Sequence, residues 1–315
     1  MIVRQYESAD KGAWDDFVIG AKNASFLFFR DFMEYHSDRY VDHSIIAYEK
    51  DRIVALLPAN LSHGELHSHQ GLSYGGWLSN SQMTASRLCE VFNALGQHLV
   101  ERAIHTVYYK CVPRIYHQRP SDEDLYCLFR LNAELYRRDI STVVDLSQTV
   151  ELSSSKKHSL KRAEKAPLEF SQSNDLAAFH RLLTDVLKRH DATPIHSVGE
   201  LETLAKRFPD NLKLYVASTE AVVMAAALVF ESGHVLHTQY LASSSEGRKC
   251  SALDFLLNEL RLRNAHRFRY LSFGISTERS GRYLNQGLIN QKEGFGGRGV
   301  VHDFYKFSSD SRIQN

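Results

Sequence analysis

The stretch Tyr240-Leu-Ala-Ser-Ser-Ser-Glu-Gly-Arg-Lys-Cys-Ser-Ala runs from a β-type segment into a leucine-spaced helix, and its residue types suit an anion. Backbone N–H groups freed at such a helix start, with Ser243, Gly247 and Ser251 in the turn and Arg248 and Lys249 beside it, form a candidate seat for a pyrophosphate. An ordinary strand-to-helix turn is the alternative, because a single glycine is far from a P-loop. Upstream, His237 has an unperturbed pKa of about 6.5 and could act as a base near neutrality, with Glu278 orienting or replacing it. Strand alternation predicts His237 and Gln239 on one face, and Thr238 and Tyr240 on the other. The glycine-rich run 281–299 offers Asn285 and Gln291 for hydroxyls and Lys292 or Arg298 for an anionic group, or else is a capped surface loop. In the first half, Tyr74, Trp77, Tyr116 and His117 are core aromatics or walls of a cleft between the two halves. His63, His67 and His69 cluster, but no cysteine or carboxylate completes a ligand set, so no metal is expected.

These residues sit in a pattern that occurs twice. In the first half, 44–61 reads as two strands around a polar turn, followed by the glycine-bearing stretch 71–78. An amphipathic helix over 82–102 then carries Leu88, Val91, Phe92, Leu95 and Leu99 on one face, and a strand over 105–112 closes the unit. The second half repeats the order: strands at 212–218, 221–230 and 234–242, a Ser/Gly loop, a helix with Leu253, Leu256, Leu257 and Leu260, and a strand over 268–273. Helices precede the second set. Asp175 caps one, and Ser197-Val-Gly-Glu200 is a capping box for the next. Duplication explains this repetition, which predicts a mixed α/β protein of two domains, 1–150 and 151–315, joined near 145–155. A serine-rich basic helix follows the junction, Lys156 to Lys165, and reads as a solvated connector.

The set resembles the GNAT acyltransferase superfamily and, in its doubled form, the FemAB-like branch. The stretches that carry the resemblance are Ser25-Phe-Leu-Phe-Phe-Arg-Asp-Phe-Met-Glu-Tyr-His, Pro113-Arg-Ile-Tyr-His, Lys157-His-Ser-Leu-Lys-Arg-Ala-Glu-Lys, His237-Thr-Gln-Tyr-Leu-Ala-Ser, Gly274-Ile-Ser-Thr-Glu and Leu284-Asn-Gln-Gly-Leu-Ile-Asn-Gln-Lys-Glu-Gly-Phe-Gly. The resemblance implies two tandem GNAT-like domains and acyl transfer, with acetyl-CoA as donor and an amino sugar or surface-polysaccharide precursor as acceptor. It implies that a splayed third strand supplies donors to the oxyanion, which brings His237, Gln239 and Tyr240 forward as site residues. One position departs from the family. Its pyrophosphate loop reads Arg/Gln-x-x-Gly-x-Gly/Ala, and Arg248-Lys-Cys-Ser-Ala puts Ser251 where the first glycine stands, which argues against close approach of backbone to phosphate. Some members of the branch take aminoacyl-tRNA instead, so two further readings stand. One is aminoacyl transfer to a peptidoglycan precursor, with 156–165 touching RNA; the other is a saccharide-binding module without catalysis.

Composition narrows the classes. The 38 basic and 37 acidic residues leave a net charge of +1, so no global field steers the chain to DNA. The start lacks the apolar core of a signal peptide, and the longest apolar run, 221–230, is half of the roughly 20 residues that span a bilayer. Four isolated cysteines suit a reducing compartment. The expectation is a cytoplasmic protein that does not enter the membrane.

Overall fold

The computed structural model describes residues 1–220 and 222–314. It divides into two compact units, 1–139 with 279–282 and 301–315, and 140–278 with 283–300. The boundary therefore falls before 150, and the C-terminal residues do not all stay with the second unit. The reason is a strand: residues 304–308 of Arg298–Ser308 pair antiparallel with Thr106–Lys110 and so complete the first unit.

In the first unit, β1 (Ile45–Glu49) and β2 (Arg52–Leu57) form the hairpin expected around the polar turn. Ile2–Gln5 and Leu78–Ser79 flank it in a four-stranded antiparallel sheet. A short strand, β3 (Glu65–His67), lies parallel to β4 (Thr106–Lys110). Between them runs α1 (Ala85–Val100), whose Thr84 cap accepts from Arg87 N. Leu88, Val91, Phe92, Leu95 and Leu99 are all buried, as helical spacing requires of one face, and pack with Trp77, Tyr109 and the β1–β2 hairpin. After β4, α2 (Glu123–Arg130) adds Cys127 and Leu128 to the same core.

After the strand residues 140–145, the second unit continues with α3 (Ser154–Ala163), α4 (Leu176–Leu187) and α5 (Val198–Arg207). Asp175 caps α4 through Ala178 N, and Ser197 with Glu200 makes a full capping box on α5, so both start signals work as the sequence says. Three antiparallel strands follow: β5 (Leu212–Thr219), β6 (Val222–Ser232) and β7 (Val235–Ser243). Ala221, where sequence pattern starts the second of them, lies outside the described residues. The Ser/Gly loop contains a short helix, α6 (Ser245–Lys249), before α7 (Ala252–Asn264), whose Leu256, Leu257 and Leu260 pack on Ala225, Ala227 and Val229 of β6. Then β8 (Tyr270–Ile275) runs parallel to β7. The run expected to bend as a loop contains a helix, α8 (Gln286–Glu293). Among the described residues no helix is long and apolar enough to cross a membrane.

Candidate functional site

Two irregularities in β7 build the site. Its parallel pairing with β8 lasts only for Val235↔Tyr270, Leu236↔Leu271 and His237↔Ser272, although both strands continue. Beyond His237 the two strands no longer share a ladder, which leaves backbone groups of both to be satisfied otherwise. The second irregularity is a bulge. Phe230 pairs with His237, Val229 with Thr238, and Leu228 with Tyr240, so Gln239 is the extra residue. Directly opposed residues share a face, and Leu228 and Phe230 share one by alternation, so His237 and Tyr240 also share it. Simple alternation had separated them; the inserted residue reverses the parity.

On that face His237 Nδ1 meets Ser272 Oγ at 3.1 Å, and the Tyr240 hydroxyl meets His196 Nδ1 at 2.7 Å. Burial raises the Tyr240 pKa, so the phenol holds its proton and can donate it. His196 lies just before the capping box and is itself buried. Its role is invisible in sequence, because only the fold brings residue 196 to residue 240. Glu278 does not orient His237. Its carboxylate is exposed on a two-residue strand and accepts from Asn285 Nδ2 at 2.8 Å. Asn285 in turn caps α8 through Leu288 N, so its amide is spent on structure.

Beside β7 opens a cleft of about 510 Å³, lined by Ser243, Gly247, Arg248 and Ser251 from the strand-to-helix turn and by Leu241 and Leu253. Gln291 also reaches it, as do Arg162 from α3 and Arg189 from the turn after α4. Arg248 Nη1 donates to Ser243 O at 3.0 Å, and Arg162 Nε donates to Ser251 Oγ at 2.9 Å. Gly247 is required here, since a Cβ would lie 2.0 Å from Met224 O. Ser251 adopts φ 61° and ψ 34°, the left-handed conformation that favours glycine. Three guanidinium groups around one cleft, at the start of a 13-residue helix, suit phosphate oxygens. Arg162 and Arg189 escaped sequence reasoning. The signal for Arg162 was present in the basic helix, but its lysines looked equivalent to it.

Other expected residues do different work. Lys249 is 78% exposed and pairs loosely with Glu246 at 3.9 Å, away from the cleft. Lys292 is buried, donating to Gly274 O and Ile275 O at 3.0 and 2.6 Å, and burial lowers its pKa to about 8. It therefore satisfies the carbonyls of β8 that lost their ladder, rather than meeting a ligand anion. Arg298 is exposed on its strand and donates to Gly297 O. Tyr74 and Tyr116 are packed together with centroids 4.4 Å apart inside the first unit, Tyr74 bonds Ser25 Oγ, and His117 bonds Val112 O. Tyr74, Tyr116 and Trp77 are core, because their rings are buried, whereas His117 is half-buried. The connector helix is not wholly solvated either: Lys156 is buried and pairs with Asp254 at 2.6 Å. His67 stacks on Tyr108, and His69 is buried against His36.

Comparison with known proteins fits this geometry. Residues 154–283 match the model of the acetyltransferase (GNAT) domain. FemX shares the fold over 96% of this chain and 97% of its own, with a TM-score of 0.67 and 11% identity. The C-terminal domain of a putative lysylphosphatidylglycerol synthetase from Agrobacterium fabrum does so over 96% and 92%, with a TM-score of 0.64 and 10% identity. A tandem GNAT protein from the clavulanic acid biosynthesis pathway follows over 98% and 98%, at 0.51 and 11%. No curated protein matches the sequence. A GNAT domain is thus matched in the second unit, and the fold over nearly the whole length is the one shared by FemX and the tandem GNAT protein.

Proposed function

We propose that the chain transfers an acyl group, acetyl in the simplest case, from acyl-CoA to the amine of an amino sugar or surface-polysaccharide precursor. The observation that carries this reading is the cleft beside the bulged, splayed β7, lined by Arg162, Arg189 and Arg248. The guanidinium groups would bind the coenzyme phosphates, and Ser243, Gly247 and Ser251 would border the pyrophosphate. The thioester would then lie along β7, where ladder-free N–H groups face the developing oxyanion. His237, held by Ser272, would take the proton from the attacking amine, and Tyr240 would give one to the leaving thiolate. The GNAT domain supports the acyl donor. The acceptor rests on the family resemblance.

A second reading, transfer from aminoacyl-tRNA, draws support from Lys157 and Lys161, which are exposed with His158 around a shallow depression on α3. Titration calorimetry separates the two. Acetyl-CoA should bind saturably, and Arg162→Ala with Arg248→Ala should weaken it more than tenfold. No binding of acetyl-CoA or of free coenzyme A would overturn the donor assignment. Product formation from glucosamine-bearing acceptors that is abolished by RNase would favour the tRNA route.

A further inference from the structure

We propose that Ser251 and Arg162 act as one phosphate-reading pair, in which the serine side chain does what a loop glycine does by backbone alone. This rests on the acyl-CoA reading above and deepens it. Ser251 takes φ 61°, a conformation in which a residue with a Cβ is strained and glycine is not. Strain alone would make the serine a defect. Its hydroxyl, however, accepts from Arg162 Nε at 2.9 Å, and both residues line the 510 Å³ cleft. Fixing Nε fixes the plane of the guanidinium, because the group is rigid. Its two terminal nitrogens are left to meet two oxygens of a phosphate as a fork. The helix beneath is anchored independently: Lys156, on α3 with Arg162, is tied to Asp254 in the first turn of α7 at 2.6 Å. Arg162 is thus held at its main chain by one ion pair and at its side chain by Ser251. The pair would bind phosphate by a side-chain fork where the family loop uses close backbone approach.

The two schemes predict opposite results for one substitution. If backbone approach governs binding, Ser251→Gly restores the glycine and should tighten coenzyme A. If the pair governs it, Ser251→Gly frees Arg162 and should weaken coenzyme A about tenfold, with a thermal midpoint no lower than that of the unchanged chain. Arg162→Lys keeps the charge but cannot keep both the Nε anchor and the fork, so it should weaken binding by a similar factor. The double variant should lose little more than either single one, since both remove the same contact. Calorimetry with coenzyme A on all four proteins reads each outcome. Equal or tighter binding by Ser251→Gly, or additive losses in the double variant, overturns the pair while leaving the donor reading intact. Failure of the unchanged chain to bind coenzyme A overturns both.

Discussion

The same parallel-strand step occurs in both units and ends differently. In the second, β7 and β8 separate after His237↔Ser272, and the space beyond borders a cleft lined with arginines. In the first, β3 and β4 pair through Leu66↔Val107 and His67↔Tyr108, and the chain then closes the gap itself. Ser68 N donates to Tyr108 O at 2.8 Å, and Ser68 Oγ accepts from Lys110 N at 2.6 Å. Lys110 Nζ binds His69 O and Leu72 O. Gly75 and Gly76 press so close that a Cβ would stand 2.2 Å from Ser68 O and 2.7 Å from the Tyr109 hydroxyl. Trp77 then fills the core, with its backbone N–H donating to the Tyr109 hydroxyl. Duplication of a plan therefore does not duplicate a site. What lies between the parallel strand and the helix decides whether the step is filled or open.

The sharpest way to break this contrast is to empty the plug. Trp77 is 1% exposed, so Trp77→Ala should cost about 3–5 kcal/mol. Trp14 is the chain's other tryptophan and lies in the same unit, so its emission during urea unfolding reads that loss directly. Coenzyme A binding to the still-folded fraction should be unchanged. If it weakens, the first unit is not the closed partner of the comparison. The counterpart in the second unit is Tyr240→Phe, which removes the proposed acid and leaves the ring. A kcat lower by about 10²-fold, or ~2.7 kcal/mol of barrier, with donor affinity unchanged is the expected result. A wild-type kcat would remove Tyr240 from the chemistry.

Sequence reading was strong where a residue acts on its own chain neighbours and weak where it acts across the fold. Asp175 and Ser197 were legible as caps because a cap is local, and the leucine spacing of α1 and α7 was legible for the same reason. The turn residues Ser243, Gly247, Arg248 and Ser251 were found together because one turn holds them. The face shared by His237 and Tyr240 was misread because a bulge leaves no mark in an apolar-polar pattern. Lys292, Asn285 and Glu278 make bonds that spacing does not reveal, because a polar side chain can serve a distant carbonyl or its own helix as readily as a ligand. His196 and Arg189 have partners or neighbours far along the chain, so no spacing could point to them.

A third test uses pH and touches only the closed unit. Asp124 is buried against the Tyr109 hydroxyl at 3.0 Å, and burial raises its carboxyl pKa to about 6 from 3.8. Between those values the folded state holds a proton that the unfolded state has released. Stability from this group is therefore full below pH 4 and is lost as pH rises through 6, by on the order of 3 kcal/mol. Urea midpoints followed by tryptophan emission should fall over that window, after correction with Asp124→Asn, which should remove this part of the slope. A slope identical in the variant would show that Asp124 is not the group responsible.

The smallest expected effect separates two neighbours in the open unit. Arg248 and Lys249 carry the same charge one residue apart, and from sequence both belong to the phosphate seat. Only Arg248 lines the cleft, with Nη1 fixed on Ser243 O; Lys249 is 78% exposed and sits 3.9 Å from Glu246. A solvated charge outside the cleft acts on a bound anion only through screened water. Lys249→Ala should then change coenzyme A affinity less than twofold at 0.15 M salt, against a loss of roughly tenfold for Arg248→Ala. Equal losses would mean that general positive charge, rather than guanidinium groups placed around the cleft, distinguishes the open unit from the closed one.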